Sequence, residues 1–154
     1  MALPDFLRED LIFLDLHPKD MEECLDMMVG LAAARGIVAD PADALARLIE
    51  REQTMSTGLG GGVAIPHAKS DKVRNMVVAM ARVPDGVDFK AIDGKPVYVV
   101  FLLLGPPDST RLHVDLLARI AYLVRTPGFL DQIKSAADPR RIMEAIRAER
   151  ERRA

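Results

Sequence analysis

The chain has 154 residues, of which 49% are hydrophobic and 29% charged, with a formal net charge of −2 and one cysteine. That length fits one domain with a real core, and the composition excludes a disordered chain, a basic nucleic-acid footprint and an intrachain disulfide framework. The longest apolar run, 97–104, is far short of the about 20 residues that cross a bilayer, and no basic leader precedes a long apolar stretch, so a soluble, cytoplasmic protein without direct membrane insertion is expected.

Leu11-Ile12-Phe13-Leu14 is short and apolar and reads as a buried strand. A helix is predicted over 19–35, with Cys24, Met27, Met28, Leu31 and Ala34 at helical spacing and Gly36 just past its end. Cys24 reads as a small core residue. Asp40-Pro41 supplies an N-cap and a first helical position for a second helix reaching Gln53, with Leu45, Leu48 and Ile49 inward. A glycine-rich loop follows, then the strand-like Val63-Ala64-Ile65, Pro66 and His67. A strand is predicted over 76–83, a turn at Pro84-Asp85-Gly86, a short strand over 87–89 and another turn at Asp93-Gly94.

Residues 97–104 should form a central strand covered on both faces. Gly105-Pro106-Pro107 breaks it, and Asp108, Ser109 or Thr110 caps a helix lasting to Arg125. Thr126-Pro127-Gly128 separates a short helix over 129–135, and Asp138-Pro139 starts the last helix. Its tail, RRIMEAIRAERERRA, alternates arginine with glutamate and reads as a solvated amphipathic helix. Partial alternation of strands and helices gives an α/β fold with helices on both sheet faces, in one domain without linkers or repeats.

The stretch STGLGGGVAIPHAK, residues 56–69, carries the chemistry. Glycines let backbone approach a ligand closely, and Pro66 fixes its own φ while holding its predecessor extended. His67 therefore sits on stiff backbone beside a loop expected to be rich in free N–H groups, which suits an anion carried covalently on the imidazole. Two nucleotide-binding motifs fail here. A Walker A loop needs a lysine after its last glycine and a helix beyond, whereas Gly62 leads into Val63-Ala64-Ile65. A dinucleotide fingerprint matches Gly58 and Gly60 but has Val63 at its third position, and the loop precedes a strand. No histidine pair at i, i+4 and no CxxC occurs, so neither a metal nor a cofactor is expected.

These segments resemble the enzyme IIA components of the bacterial sugar phosphotransferase system, of the fructose/mannitol and nitrogen-regulatory type. The resemblance rests on Arg51-Glu52 ending a helix, on STGLGGGVAIPHAK, on VYVVFLLL after AIDGKP, and on His113 opening HVDLLARIAYL. Together with LREDLIFLDL these segments follow the family's order over most of the chain. The resemblance implies a mannitol-type enzyme IIA fold, a mixed β-sheet flanked by helices, in a single type-2 domain over 1–154. Gly61 stands where many relatives have a polar residue, and Gly105 where an apolar one is commoner.

Candidate roles follow. A nucleophilic histidine must be neutral, with one ring nitrogen free and the other held by a hydrogen bond. His67 fits the phosphoryl acceptor; on composition alone it also fits a turn histidine bonded to backbone. His113 shares the helix face of Leu116, Leu117, Ile120 and Val124, as a core histidine would. The resemblance makes it the acceptor's partner, donating a hydrogen bond to the phosphoryl group. Arg51 would stabilise charge on the equatorial oxygens, or simply complement its helix dipole. Thr57, Gly58 and Gly60 are expected to offer hydroxyl and N–H donors to the phosphate, unless the glycines serve only the turn. His17 and Arg47 read as surface.

The resemblance further implies a relay. An HPr-type phosphocarrier protein loads His67, which passes the group to a IIB-type acceptor or, in the nitrogen-regulatory branch, controls regulatory target proteins. The isolated domain, without fused IIB or transport segments, favours that branch over a sugar-permease component. Leu59, Val63 and Ile65 are expected in an apolar docking rim.

Overall fold

The structure is a computed structural model and describes residues 3–153. Six strands form one sheet: β1 (Leu7–Phe13), β2 (Gly58–Gly60), β3 (Val63–Ala64), β4 (His67–Lys69), β5 (Val77–Val87) and β6 (Val97–Gly105). The order is β1-β5-β6-β3-β2, with β4 also paired to β6. β5 runs antiparallel to β6 and β2 to β3, while β1–β5, β3–β6 and β4–β6 are parallel, so the sheet is mixed.

β6 is the central strand expected from its unbroken apolar run. Val100, Leu102 and Leu104 point to one face, and Val99, Phe101 and Leu103 to the other, all buried. Alternate residues of a strand face opposite sides, so a strand buried on both must be apolar throughout. Helices α1 (Met21–Ala34) and α2 (Pro41–Thr54) cover the first face, with Cys24, Leu25, Met28, Ala44 and Leu48 in its core. Helices α3 (Thr110–Arg125), α4 (Phe129–Ser135) and α5 (Pro139–Arg153) cover the second, through Leu116, Ile120, Phe129, Ile142 and Ile146. Leu45 and Ile49 pack beside the first core only partly buried. Burial pushes the Cys24 thiol up to about 12, leaving it protonated and inert.

Local signals set the helix ends. Asp20 accepts from the Glu23 amide at 2.8 Å and Asp40 from the Asp43 amide at 3.1 Å, with Pro41 at the first position of α2. α5 confirms a helical tail; the side chains beyond residue 149 lie outside the described ones.

Pro84-Asp85-Gly86 does not reverse the chain. β5 runs through it, and register jumps from Arg82↔Val99 to Val87↔Val97, which makes the segment a bulge. Proline cannot donate to a ladder, so it sits where pairing with β6 is interrupted. The expected strand over 87–89 is only the last residue of β5, and the reversal comes after it. β2 and β4 have three residues each, too few to show a period.

Arg82 ties the two layers together. Its Nε donates to the Leu14 carbonyl at 3.0 Å, and its Nη1 to the carbonyls of Ile133, Lys134 and Ala136 at 3.0, 3.3 and 2.8 Å. His17 is exposed, as expected, and sits 2.7 Å from both Asp15 and Asp85. The hydrogen bonds to Asp85 and then Asp15 hold its pKa above the usual imidazole value.

Candidate functional site

α2 is anchored at both ends to the chain around β4. Near its start, Asp43 accepts from the Ser70 hydroxyl just beyond β4. Near its end, Glu52 accepts from the hydroxyl and, at 3.2 Å, the amide of Thr57. Arg51 occupies the last turn between these anchors and the loop. β4 lies parallel to the end of β6, with His67 opposite Leu103 and Lys69 opposite Gly105. The chain leaves β6 through Gly105-Pro106-Pro107, enters α3 behind Ser109, and brings His113 back over the strand end in the first turn.

His67 Nδ1 lies 2.9 Å from the Ile65 carbonyl. A carbonyl only accepts, so Nδ1 carries the proton and Nε2 keeps its lone pair. The extended backbone that Pro66 imposes on Ile65 places this carbonyl under the ring two residues on. Burial lowers the His67 pKa below the usual imidazole value; the Ile65 bond opposes this, and the cations Arg51 and Lys69 add to it. His67 is therefore neutral at neutral pH.

His113 is 4% exposed, and neither ring nitrogen has a hydrogen-bond partner among the described residues. Its ring centroid is 6.2 Å from that of His67, with the planes tilted at 52°. Burial lowers its pKa to about 4, helped by His67 and Lys69. A neutral imidazole still has one N–H to donate. Gly105 makes its position possible: a Cβ there would stand 2.8 Å from His113 Nε2 and 2.6 Å from Ser109 Oγ. Arg51 is half-buried, and its side chain has no hydrogen bond or ion pair among the described residues. Its charge nevertheless reaches His67.

The glycine loop departs from expectation. Thr57 commits both its amide and its hydroxyl proton to Glu52, so it is not a donor to a phosphate in this arrangement. Gly58 donates to Ser56 Oγ at 3.1 Å, and its missing Cβ admits Ala91, whose Cα would lie only 2.8 Å away. Gly60, Gly61 and Gly62 all have positive φ, and Gly61 donates to Asp93 Oδ2 at 3.0 Å. A Cβ on Gly60 would stand 3.3 Å from the same oxygen. The Asp93 carboxylate thus lies against the Gly60–Gly61 turn. The Gly58 and Gly61 amides are occupied within the protein, and Gly60, Gly61 and Gly62 form a turn at positive φ.

A family model described as "Phosphoenolpyruvate-dependent sugar phosphotransferase system, EIIA 2" matches residues 5–149. The chain belongs to the type-2 EIIA family. Members of this family are phosphoryl carriers of the phosphotransferase system, and the lone pair on His67 Nε2 is compatible with that chemistry.

The family's two branches both appear among the relatives. The chain is 32% identical over 137 residues to the fructose-specific EIIA component of Haloferax volcanii, covering 89% of each chain. It is 31% identical over 146 residues to the fructose-specific EIIABC component of Bacillus subtilis, spanning 95% of this chain but only 23% of that protein. With the nitrogen regulatory protein of Bradyrhizobium diazoefficiens it shares 37% identity over 99 residues, 64% of this chain and 65% of the relative.

The solved nitrogen regulatory protein IIA-Ntr of Neisseria meningitidis superposes with a TM-score of 0.87 at 28% identity, covering 94% of this chain and 98% of its own. Mannitol enzyme IIA of Escherichia coli, solved in complex with phosphorylated enzyme IIB, shares the fold, with a TM-score of 0.79 at 17% identity over 93% of this chain and 99% of that one.

Two further groups at this candidate site had no role assigned from the sequence. Lys69 follows His67 by two residues in β4, on the same side of the strand, and its Nζ donates to Thr110 Oγ1 at the start of α3. Its i+2 spacing from His67 was the available signal. Glu52 was legible only as the neighbour of Arg51. The apolar rim also changes membership. Val63 and Ile65 are 1% and 3% exposed and belong to the core covered by α3, α4 and α5. Leu59 remains exposed; Ile92, whose amide reaches the Gly58 carbonyl, and Val114, beside His113, are exposed as well.

Proposed function

We propose that this chain accepts a phosphoryl group on His67 Nε2 from an HPr-type phosphohistidine carrier and serves as a nitrogen-regulatory-type IIA protein. The observation that carries the acceptor assignment is the 2.9 Å bond from Nδ1 to the Ile65 carbonyl, which leaves Nε2 as the nucleophilic nitrogen. Nε2 attacks phosphorus in line as the carrier's P–N bond breaks, and that electron pair returns to the carrier's ring nitrogen. The His67 ring gains positive charge as the new N–P bond forms. The bond from Nδ1–H to Ile65 strengthens accordingly, since charge-assisted bonds are the stronger ones.

Arg51, without another ion pair, and Lys69 supply positive charge for the phosphoryl oxygens. His113 donates from its buried, neutral ring. Transfer of this kind rests on positioning and charge stabilisation. The exposed apolar residues Leu59, Ile92 and Val114 suit a transient docking surface.

The IIA-Ntr superposition supports the regulatory role. A second reading, a IIA component that hands the group to a IIB subunit of a fructose/mannitol-class permease, is supported by the fructose-specific relative matched over 89% of both chains, and by the fold shared with a IIA solved on its phosphorylated IIB.

The test is phosphotransfer from phosphoenolpyruvate through enzyme I and an HPr-type carrier, followed by intact mass. One acid-labile phosphoryl group, absent in His67→Ala, is the expected result; no gain with any carrier rejects the acceptor assignment. Subsequent loss of the group to a fructose-class IIB domain would favour the permease role, and its retention the regulatory one.

A further inference from the structure

We infer that Glu52 is a positioning residue for the acceptor, acting through a chain of hydrogen bonds that ends on His67 Nδ1; this rests on the reading of His67 as acceptor. The Glu52 carboxylate accepts from the amide and the hydroxyl of Thr57. The Thr57 carbonyl accepts from the Ile65 amide at 3.1 Å. The Ile65 carbonyl accepts from His67 Nδ1 at 2.9 Å. Four residues from two segments are thus linked, and the link to α2 is made by the Glu52 side chain.

The stretch between Thr57 and Ile65 is tied to β6 through β3, but its entrance from α2 depends on Glu52. It contains Gly58, Gly60, Gly61 and Gly62, three of them at positive φ, and its strands β2 and β3 have three and two residues. Glycine-rich backbone of this kind has many accessible conformations and few side chains to pin it. Glu52 pins its entrance from a helix that Asp43 and Ser70 fix at the other end.

Glu52 and Thr57 are 8% and 7% exposed, so the pair is shielded from water. Burial is the larger influence on the carboxyl and raises its pKa; the two bonds from Thr57 oppose it. A buried polar pair has one satisfied geometry, whereas apolar contacts tolerate sliding. Released from it, Thr57 and Ile65 shift together and the Ile65 carbonyl no longer selects the Nδ1–H tautomer. Arg51 is the adjacent residue of α2, so the same anchor sets the guanidinium relative to the ring.

The experiment compares wild type, E52A, E52Q and T57V in two ways. The first is the 15N NMR signature of the His67 tautomer in unphosphorylated protein. The second is the phosphorylation rate against carrier concentration. E52A should move His67 from a proton fixed on Nδ1 to a tautomer mixture, and lower the maximal rate about tenfold or more with the carrier KM unchanged. The amide of E52Q accepts from the Thr57 amide and donates to its hydroxyl oxygen, so it should restore the tautomer and most of the rate. T57V, which removes only the hydroxyl arm, should fall between.

Wild-type tautomer and rate in E52A overturn the inference, as does E52Q behaving like E52A. If E52A does not fold, wild-type behaviour of T57V in both readouts overturns it. Failure of wild-type His67 to accept phosphate would instead remove the carrier reading, and the tautomer readout alone then supports or overturns the positioning role.

Discussion

The imidazoles of His67 and His113 face each other with centroids 6.2 Å apart. They are too far apart for a direct ring-to-ring hydrogen bond, yet a tetrahedral group bonded to one comes within reach of the other. As an acceptor His67 has to be neutral before transfer, and a neutral His113 still has one N–H to donate. Burial of each, and the nearby cations Arg51 and Lys69, act in that direction.

Stability should therefore fall on mild acidification. His113 has a folded pKa of about 4 against an unfolded value of 6.5, so above 6.5 neither state takes up the proton. Between 6.5 and 4 the unfolded chain binds it and the folded protein does not, so stability present at pH 7.5 is lost as pH falls through this window. His67, lowered as well, contributes with the same sign. Urea midpoints at pH 7.5 and 4.5 should show wild type losing about 2 kcal/mol more than His113→Phe. An equal loss in both proteins would reject the assignment.

Arg51→Met should lower the maximal phosphotransfer rate about 100-fold, the usual cost of removing one electrostatic stabiliser of a transition state. It should also raise the His67 pKa, because the Arg51 charge now lowers it. Arg51→Lys should recover the pKa more fully than the rate, since a point charge lacks the planar fork. NMR titration and single-turnover transfer check the two arms separately.

Gly105→Ala introduces a methyl group where Ser109 Oγ, His113 Nε2 and Met76 Cε would stand 2.6, 2.8 and 2.8 Å away. The serine rotor and the methionine end can give; the ring has to move with α3. The expected result is a loss of about 1–3 kcal/mol in stability, a changed His113 NMR signal and slower phosphotransfer. An unchanged His113 signal would contradict the packing argument.

Arg82→Met removes donors from the carbonyls of Leu14, Ile133, Lys134 and Ala136. A destabilisation of about 2–3 kcal/mol is expected, with faster amide exchange in α4 than in β6, because bonds to a charged donor exceed neutral ones. Phosphotransfer by the folded fraction should be unaffected, since Arg82 lies on the bond network of α4 and β1 and not on that of His67. Uniform exchange across both elements would count against a local clamp.

Much of the fold was legible because it rests on local signals. Asp20, Asp40-Pro41 and Gly36 mark helix ends by side-chain or backbone chemistry that acts within a few residues. The buried run 97–104 announces a central strand because both its faces are covered. Pro84-Asp85-Gly86 misled for the complementary reason. Turn residues indicate a departure from regular pairing, and whether that departure is a reversal or a bulge depends on the partner strand.

Residue order by itself determined the α/β class and the two-sided sheet, because periodicity and capping are properties of the chain, while the resemblance to the enzyme IIA family singled out His67, His113 and Arg51 as candidates. Only the tertiary structure decided how those groups are placed and what each one touches. Which ring nitrogen of His67 is free depends on a carbonyl aimed by folded backbone. The amide of Gly61 is occupied because Asp93, far along the chain, folds back to accept from it. Val63 and Ile65 become core rather than rim because α3, α4 and α5 cover their face of the sheet. Hydrogen-bond partners and burial are relations between distant segments, and such relations exist only once the chain has folded.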